Sequence, residues 1–138
     1  IYPDNSPETA HLYGCRMVGT WIGTDEYIKA NLDHKLVELK READLISEFP
    51  DPQVQNLMLR WCFSQKITYL QRTTSPDLMS AFIGQFDQMK RDILTSILQC
   101  PVDDTLWRQC CLNIHDGGVG LQIPENVAHA AYIACIHC

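Results

Sequence analysis

TDEYIKANLDHKLVELKREADLI, residues 24–46, is the stretch on which the fold class turns. Ile28, Leu32, Leu36, Leu39, Ala43 and Ile46 recur at steps of four and three, one continuous apolar stripe on a helix. Lys29, Asp33, Lys40 and Glu42 fall off that stripe. Thr24 has the residue type and place of an N-cap, and Asp25 and Glu26 put negative charge in the positive first turn. Pro50 ends the run, because proline lacks the N–H and disfavours a helical residue before it.

The same punctuation recurs downstream. Asp51-Pro52 starts a second helix, with Val54, Leu57, Met58, Trp61, Cys62 and Leu70 as its expected buried side. Ile67-Thr68-Tyr69 weakens its tail. Ser75-Pro76 starts a third, whose stripe is Met79, Phe82, Phe86, Met89, Ile93 and Ile97, ended by Pro101. A fourth, short helix runs from Asp103 or Asp104 to about Cys111. Asp116-Gly117-Gly118-Val119-Gly120 is expected to turn, with Gly117 or Gly118 at positive φ to close the fourth helix. Pro124 opens a last helix through Val127, Ala131 and Cys135.

Upstream, residues 1–11 read as an extended lead-in rich in turn formers. Leu12 to Ile22 is rich in β-formers and roughly alternates, as a short strand or hairpin does, with Gly14, Gly19 and Gly23 permitting turns. The expected fold is mainly α: a compact bundle of about five helices with a short N-terminal strand or hairpin, one domain over residues 12–138. Trp61 is expected between the first and third helices.

Composition narrows the function classes. Apolar residues make up 46% and charged residues 20% of the 138, close to globular averages. No apolar run approaches the ~20 residues that span a bilayer, and the first residues carry no signal-peptide pattern. The chain opens on Ile1 rather than Met, as a processed product or a piece of something longer does. Eleven basic residues against 17 acidic ones give a net charge of −6, which argues against autonomous nucleic-acid binding, since affinity for phosphates comes from basic side chains. Arg60, Lys66 and Arg72 lie six apart, on three sides of a continuous helix. The seven cysteines (Cys15, Cys62, Cys100, Cys110, Cys111, Cys135, Cys138) fall mostly in helical patterns, where thiols act as small buried hydrophobes, and the expected setting is intracellular and reducing.

Gly117, Gly118 and Gly120 match neither a dinucleotide fingerprint nor a P-loop, and no lysine follows them. Asp103-Asp104 is a carboxylate pair of the sort that binds magnesium, but it reads better as a cap and a first-turn acid. Cys110, Cys111, His115, His129, Cys135, His137 and Cys138 crowd the end of the chain. Only Cys135-x-x-Cys138 has knuckle spacing, with Cys111 and His115 as a second half across the turn. Cys135 is expected to point into the core, so no metal, cofactor or catalytic group is expected.

Four blocks carry a resemblance. Val18-Gly19-Thr20-Trp21-Ile22-Gly23-Thr24-Asp25-Glu26-Tyr27-Ile28 is similar to L-G-x-P-I-G-[ST]-x-E-[FY]-[VI], and Pro50-Asp51-Pro52-Gln53-Val54 to a P-D-x-Q block. Leu57, Leu59, Arg60, Cys62 and then Tyr69-Leu70-Gln71-Arg72-Thr73-Thr74-Ser75-Pro76 follow L-L-R-x-C and Y-L-x-R-T-x-x-P. Leu112-Asn113-Ile114-His115-Asp116-Gly117-Gly118-Val119-Gly120-Leu121 looks like L-P-x-R-x-G-G-L-G-L, and Ala130-Ala131-Tyr132-Ile133-Ala134-Cys135 like A-A-Y-x-A-S. In this order the blocks resemble the region just after the catalytic palm in reverse transcriptases of non-LTR retrotransposons. Trp21 stands where that pattern has proline, and Asn113 and His115 where it has proline and arginine. The resemblance implies a thumb-side helical domain, non-catalytic by itself because the aromatic-x-Asp-Asp motif belongs upstream. Within a larger enzyme it would hold an RNA/DNA duplex, with Arg60, Lys66 and Arg72 as the implied contacts. The rival expectation is a domesticated structural module that binds protein partners, with no membrane role.

Overall fold

The computed structural model describes residues 13–137, so the lead-in expected over residues 1–11 lies outside the described residues, as does Cys138. Strands β1 (Gly14–Met17) and β2 (Thr20–Gly23) form an antiparallel hairpin. Six α-helices follow: α1 (Asp25–Ser47), α2 (Pro52–Leu57), α3 (Thr68–Thr73), α4 (Pro76–Leu98), α5 (Asp104–Cys111) and α6 (Pro124–Ile136). A π-helical turn, Met58–Phe63, continues α2, and a 3-10 turn, Ile114–Asp116, follows α5. The chain is thus a mainly helical, compact bundle with an N-terminal hairpin.

Helices α1 and α4 form its spine. Leu32, Leu36, Leu39, Ala43 and Ile46 of α1 are buried, as the stripe requires, and Ile28 is partly buried against them. Met79, Phe82, Phe86, Met89 and Ile93 of α4 are buried likewise, joined by Ile83, Lys90 and Leu94. The caps act as their residue types suggest. Thr24 Oγ1 accepts from the Tyr27 amide at 3.4 Å, Asp51 Oδ1 from Gln53 at 2.8 Å, and Asp103 Oδ1 from Leu106 at 2.7 Å. The Asp103-Asp104 pair is therefore a cap and a surface acid, with Asp104 paired to Arg91 at 2.8 Å. Ser75 departs from this pattern: Pro76 occupies the first turn, but the serine side chain makes no capping bond.

The expected second helix is corrected most. Instead of one helix over residues 52–70, α2 widens into the π turn, breaks, and restarts as α3. The buried side is Gln55, Leu59, Phe63, Ile67 and Leu70, whereas Leu57 and Trp61 are 55% and 62% exposed and Cys62 is exposed. Trp61 is exposed and does not lie between α1 and α4; Phe63 is the buried ring of this segment, stacked on Phe86 with ring centroids 5.0 Å apart. The reason lies in helix period. Steps of four residues overshoot an α-helical turn by about 40° each, so 55, 59, 63 and 67 would wind off one face. The π turn, closed by the Ser64 amide and hydroxyl on the Leu59 carbonyl at 3.0 and 2.8 Å, holds them in line. Of the expected stripe, Leu57, Trp61 and Cys62 face solvent, Val54 and Met58 are partly buried, and Leu70 is buried.

Helix α6 is also shifted. It buries Pro124 and Ala128 rather than Val127 and Cys135, and its last turns expose Ile133 and Ile136. Cys135 is exposed and does not point into the core, and Cys15, Cys62 and Cys100 are exposed too; among the described cysteines Cys110 is buried and Cys111 partly so. The glycine turn reverses the chain, but Gly117, at φ +79°, closes the 3-10 turn rather than α5, which ends at Leu112 in extended conformation. Gly118 has no room for a side chain: a Cβ there would collide with the Leu112 carbonyl. Val119 and Gly120 amides donate to Cys110 O and Leu112 O at 3.0 and 2.9 Å, so the turn satisfies carbonyls that the end of α5 leaves open.

Buried polar side chains pin the segments to one another. Gln55 Nε2 donates to the Ser47 and Phe49 carbonyls at 2.9 and 2.7 Å, joining α2 to the end of α1. Gln71 Nε2 reaches Pro124 O and Lys90 Nζ reaches Gln122 O, each at 2.9 Å, which seats the start of α6.

Candidate functional site

The hairpin is placed by its turn and by α1. Val18-Gly19 is a two-residue turn with φ of +48° and +86°, the double positive φ of a type I′ hairpin. Glycine adopts this freely, whereas a β-branched residue there is strained, and Val18 is also 87% exposed. The conformation is held from outside: Tyr69 Oη on α3 donates to Val18 O at 2.6 Å. At the other end the Thr24 amide donates to Tyr13 O at 2.8 Å, and Gly14 lies so close on the Tyr27 ring that a Cβ would overlap it.

Between the hairpin, α1 and α3 lies a groove of about 710 Å³, larger than two other recesses of about 200 and 350 Å³ along α4. Aromatic rings (Trp21, Tyr27, Tyr69) and cations (Arg16, Lys35, Lys66) line it together with Asn31 and His34, and among the described residues Glu38 is the lining carboxylate. Lys35 binds Glu38 at 2.6 Å, and its hydrogen bond and charge hold the Glu38 carboxyl below the usual carboxylate range. Lys66 bridges to both oxygens of Glu42 on α1, at 2.9 and 2.8 Å. Arg16 makes no ion pair among the described residues. Exposed pairs of this kind are worth only about 0.2–1 kcal/mol, so an incoming anion can compete for either lysine.

Of the three basic residues implied by the resemblance, Lys66 alone lines this groove. Arg60 sits in the π turn with its guanidinium 4.7 Å from the Trp61 ring, and it packs against Gly120, where a Cβ would stand 3.2 Å from its Nη2. The arginine block and the glycine block, 60 residues apart in sequence, therefore meet in space. Arg72 is an exposed residue of the short α3. Because α2, the π turn and α3 are separate, the three cations do not share a helix.

Arg16, Lys35, Trp21, Tyr27 and Tyr69 were not singled out as site residues by the sequence. Trp21 carried the only local signal, as the ring that stands where the resembling pattern has proline. Among the described residues no three His, Cys, Asp or Glu side chains are grouped to hold a metal, and no helix is long and apolar enough to cross a membrane. Burial raises the thiol pKa of Cys110 and of Cys111, which keeps both protonated and poorly nucleophilic. No family model, curated protein or solved structure matches the chain.

Proposed function

We propose that this chain is a thumb-like, non-catalytic helical module of a reverse-transcriptase-like protein, and that it contacts nucleic acid through the hairpin groove. The observation that supports the reading best is the groove itself, where Arg16, Lys35 and Lys66 gather beside Glu38 and Glu42 among the described residues of a chain of net charge −6. Phosphate contacts supply most nucleic-acid affinity, and aromatic rings beside them supply surfaces on which bases or sugars rest. Arg60 and Arg72 extend the contact in a larger enzyme, where neighbouring domains add their own charge.

The rival reading, a module recruited into a protein assembly, draws on the exposed Leu57, Trp61, Ile133 and Ile136. Salt titration of binding to an RNA–DNA hybrid separates the two. The nucleic-acid reading expects affinity that falls steeply with salt, with the log–log slope reduced by ~0.9 for each phosphate contact removed by Arg16→Ala or Lys66→Ala. Arg108→Ala, at an exposed position of α5 outside the groove lining, should leave the slope unchanged. Absence of binding even at about 50 mM salt would overturn the reading in favour of the protein module.

A further inference from the structure

We infer that the hairpin groove takes an unpaired nucleobase from a single-stranded segment, stacked on its aromatic rings with the flanking phosphates at Arg16 and Lys66. This rests on the nucleic-acid reading above and narrows it from a duplex surface to a strand site. The argument begins with what a duplex offers. Its bases are paired and stacked on one another, so a protein meets phosphates, sugars and groove edges, and a recess lined by Trp21, Tyr27 and Tyr69 has no flat face to receive. An unpaired base presents its π face, and stacking on aromatic side chains is how strand-binding proteins hold it.

Two of the rings are fixed before any ligand arrives. Tyr69 is tied through its hydroxyl to Val18 O at 2.6 Å, and Tyr27 has its ring packed against Gly14. Asn31 Nδ2 donates to Tyr27 O at 2.8 Å, which orients the amide and leaves its Oδ1 and its second N–H for the polar edge of a base. A preformed recess lowers the ordering cost of binding, which favours a small, flat ligand over one that must remodel the hairpin. The strained Val18 turn fits the same picture, since backbone strain is retained where the surrounding structure over-determines a site.

The test is anisotropy of a fluorescent oligonucleotide of about eight nucleotides, as a single strand, as a blunt duplex, and as a strand with abasic positions at its centre. The strand should bind the wild-type chain more tightly than the duplex, and the abasic strand at least about fivefold more weakly than the intact one. Trp21→Leu should weaken the intact strand by a similar factor and so shrink the gap between the intact and abasic strands, whereas Trp21→Phe should keep that gap. Thermal melts establish that both variants fold, and the abasic comparison on the wild-type chain stands if they do not. Equal binding of intact and abasic strands would overturn the strand site while leaving a phosphate-only function in place. Failure of every oligonucleotide to bind would overturn both.

Discussion

Lys90 shows how much one residue can carry in this fold. Its side chain is 0% exposed, its ammonium stands 2.7 Å from Asp87 Oδ1, and it donates to Gln122 O; the Phe86 and Trp107 rings lie 5.4 and 5.3 Å away. Removing one partner of a buried pair leaves the other uncompensated, so Lys90→Ala should lower stability by about 3–5 kcal/mol. Lys90→Met fills the space and should cost less. Burial, its largest influence, lowers the lysine pKa below its ordinary value, and the charge of Asp87 only partly opposes this. Between the lowered and the ordinary value the unfolded chain holds the proton and the folded chain does not. Unfolding then takes up a proton, and the Lys90 contribution to stability rises with pH across that window. Chemical denaturation across the alkaline range should show the rise in the wild type and its loss in Lys90→Met; parallel curves would contradict it. No pattern in the sequence marks this residue, because Lys90 sits beside Met89 on what reads as the edge of a stripe. The Gln122 carbonyl, 32 residues on, joins Asp87 in compensating its burial.

Among the elements, legibility followed regularity. Helices α1 and α4 keep a three-and-four period over 23 residues each, and both their extent and their buried faces could be read from it. Leu36→Ala or Phe86→Ala should therefore cost about 2–5 kcal/mol in unfolding free energy. Trp61→Ala should cost about 1 kcal/mol or less, since it loses mainly an exposed contact with Arg60. A large loss at Trp61 with little at Leu36 would restore the face expected from the sequence. That face was misread because a regular apolar stripe and a four-step stripe share the same segment, and only the π turn makes the second one the core. The glycine turn was legible as a reversal but not in its detail. Gly117 needs positive φ, while Gly118 needs the absence of a Cβ beneath the Leu112 carbonyl. Gly118→Ala should cost about 1–3 kcal/mol, more than Gln122→Ala on the exposed approach to α6, and melting of the two variants measures the difference.

Taken whole, the molecule is an acidic bundle in which Lys40 pairs with Asp44 and Asp92, Lys90 with Asp87, and Arg91 with Asp104, while the groove lysines Lys35 and Lys66 pair with Glu38 and Glu42. The groove is where hairpin, α1 and α3 bring Arg16, Lys35 and Lys66 together. Sequence spacing gave no hint of this, because residues 16, 35 and 66 belong to different elements and meet only when Tyr69 docks on the hairpin tip. Of the three cations that the resemblance implies, Lys66 lines the groove, and the bundle places Arg60 and Arg72 outside it. Ultraviolet cross-linking of a single-stranded oligonucleotide to the chain, with the modified peptides mapped by mass spectrometry, tests the groove most directly. Adducts should fall at Trp21 and Tyr69 and be competed away by unlabelled strand. Adducts confined to the Arg60–Trp61 and Arg72 peptides, or none at all, would contradict the assignment of nucleic-acid contact to this groove.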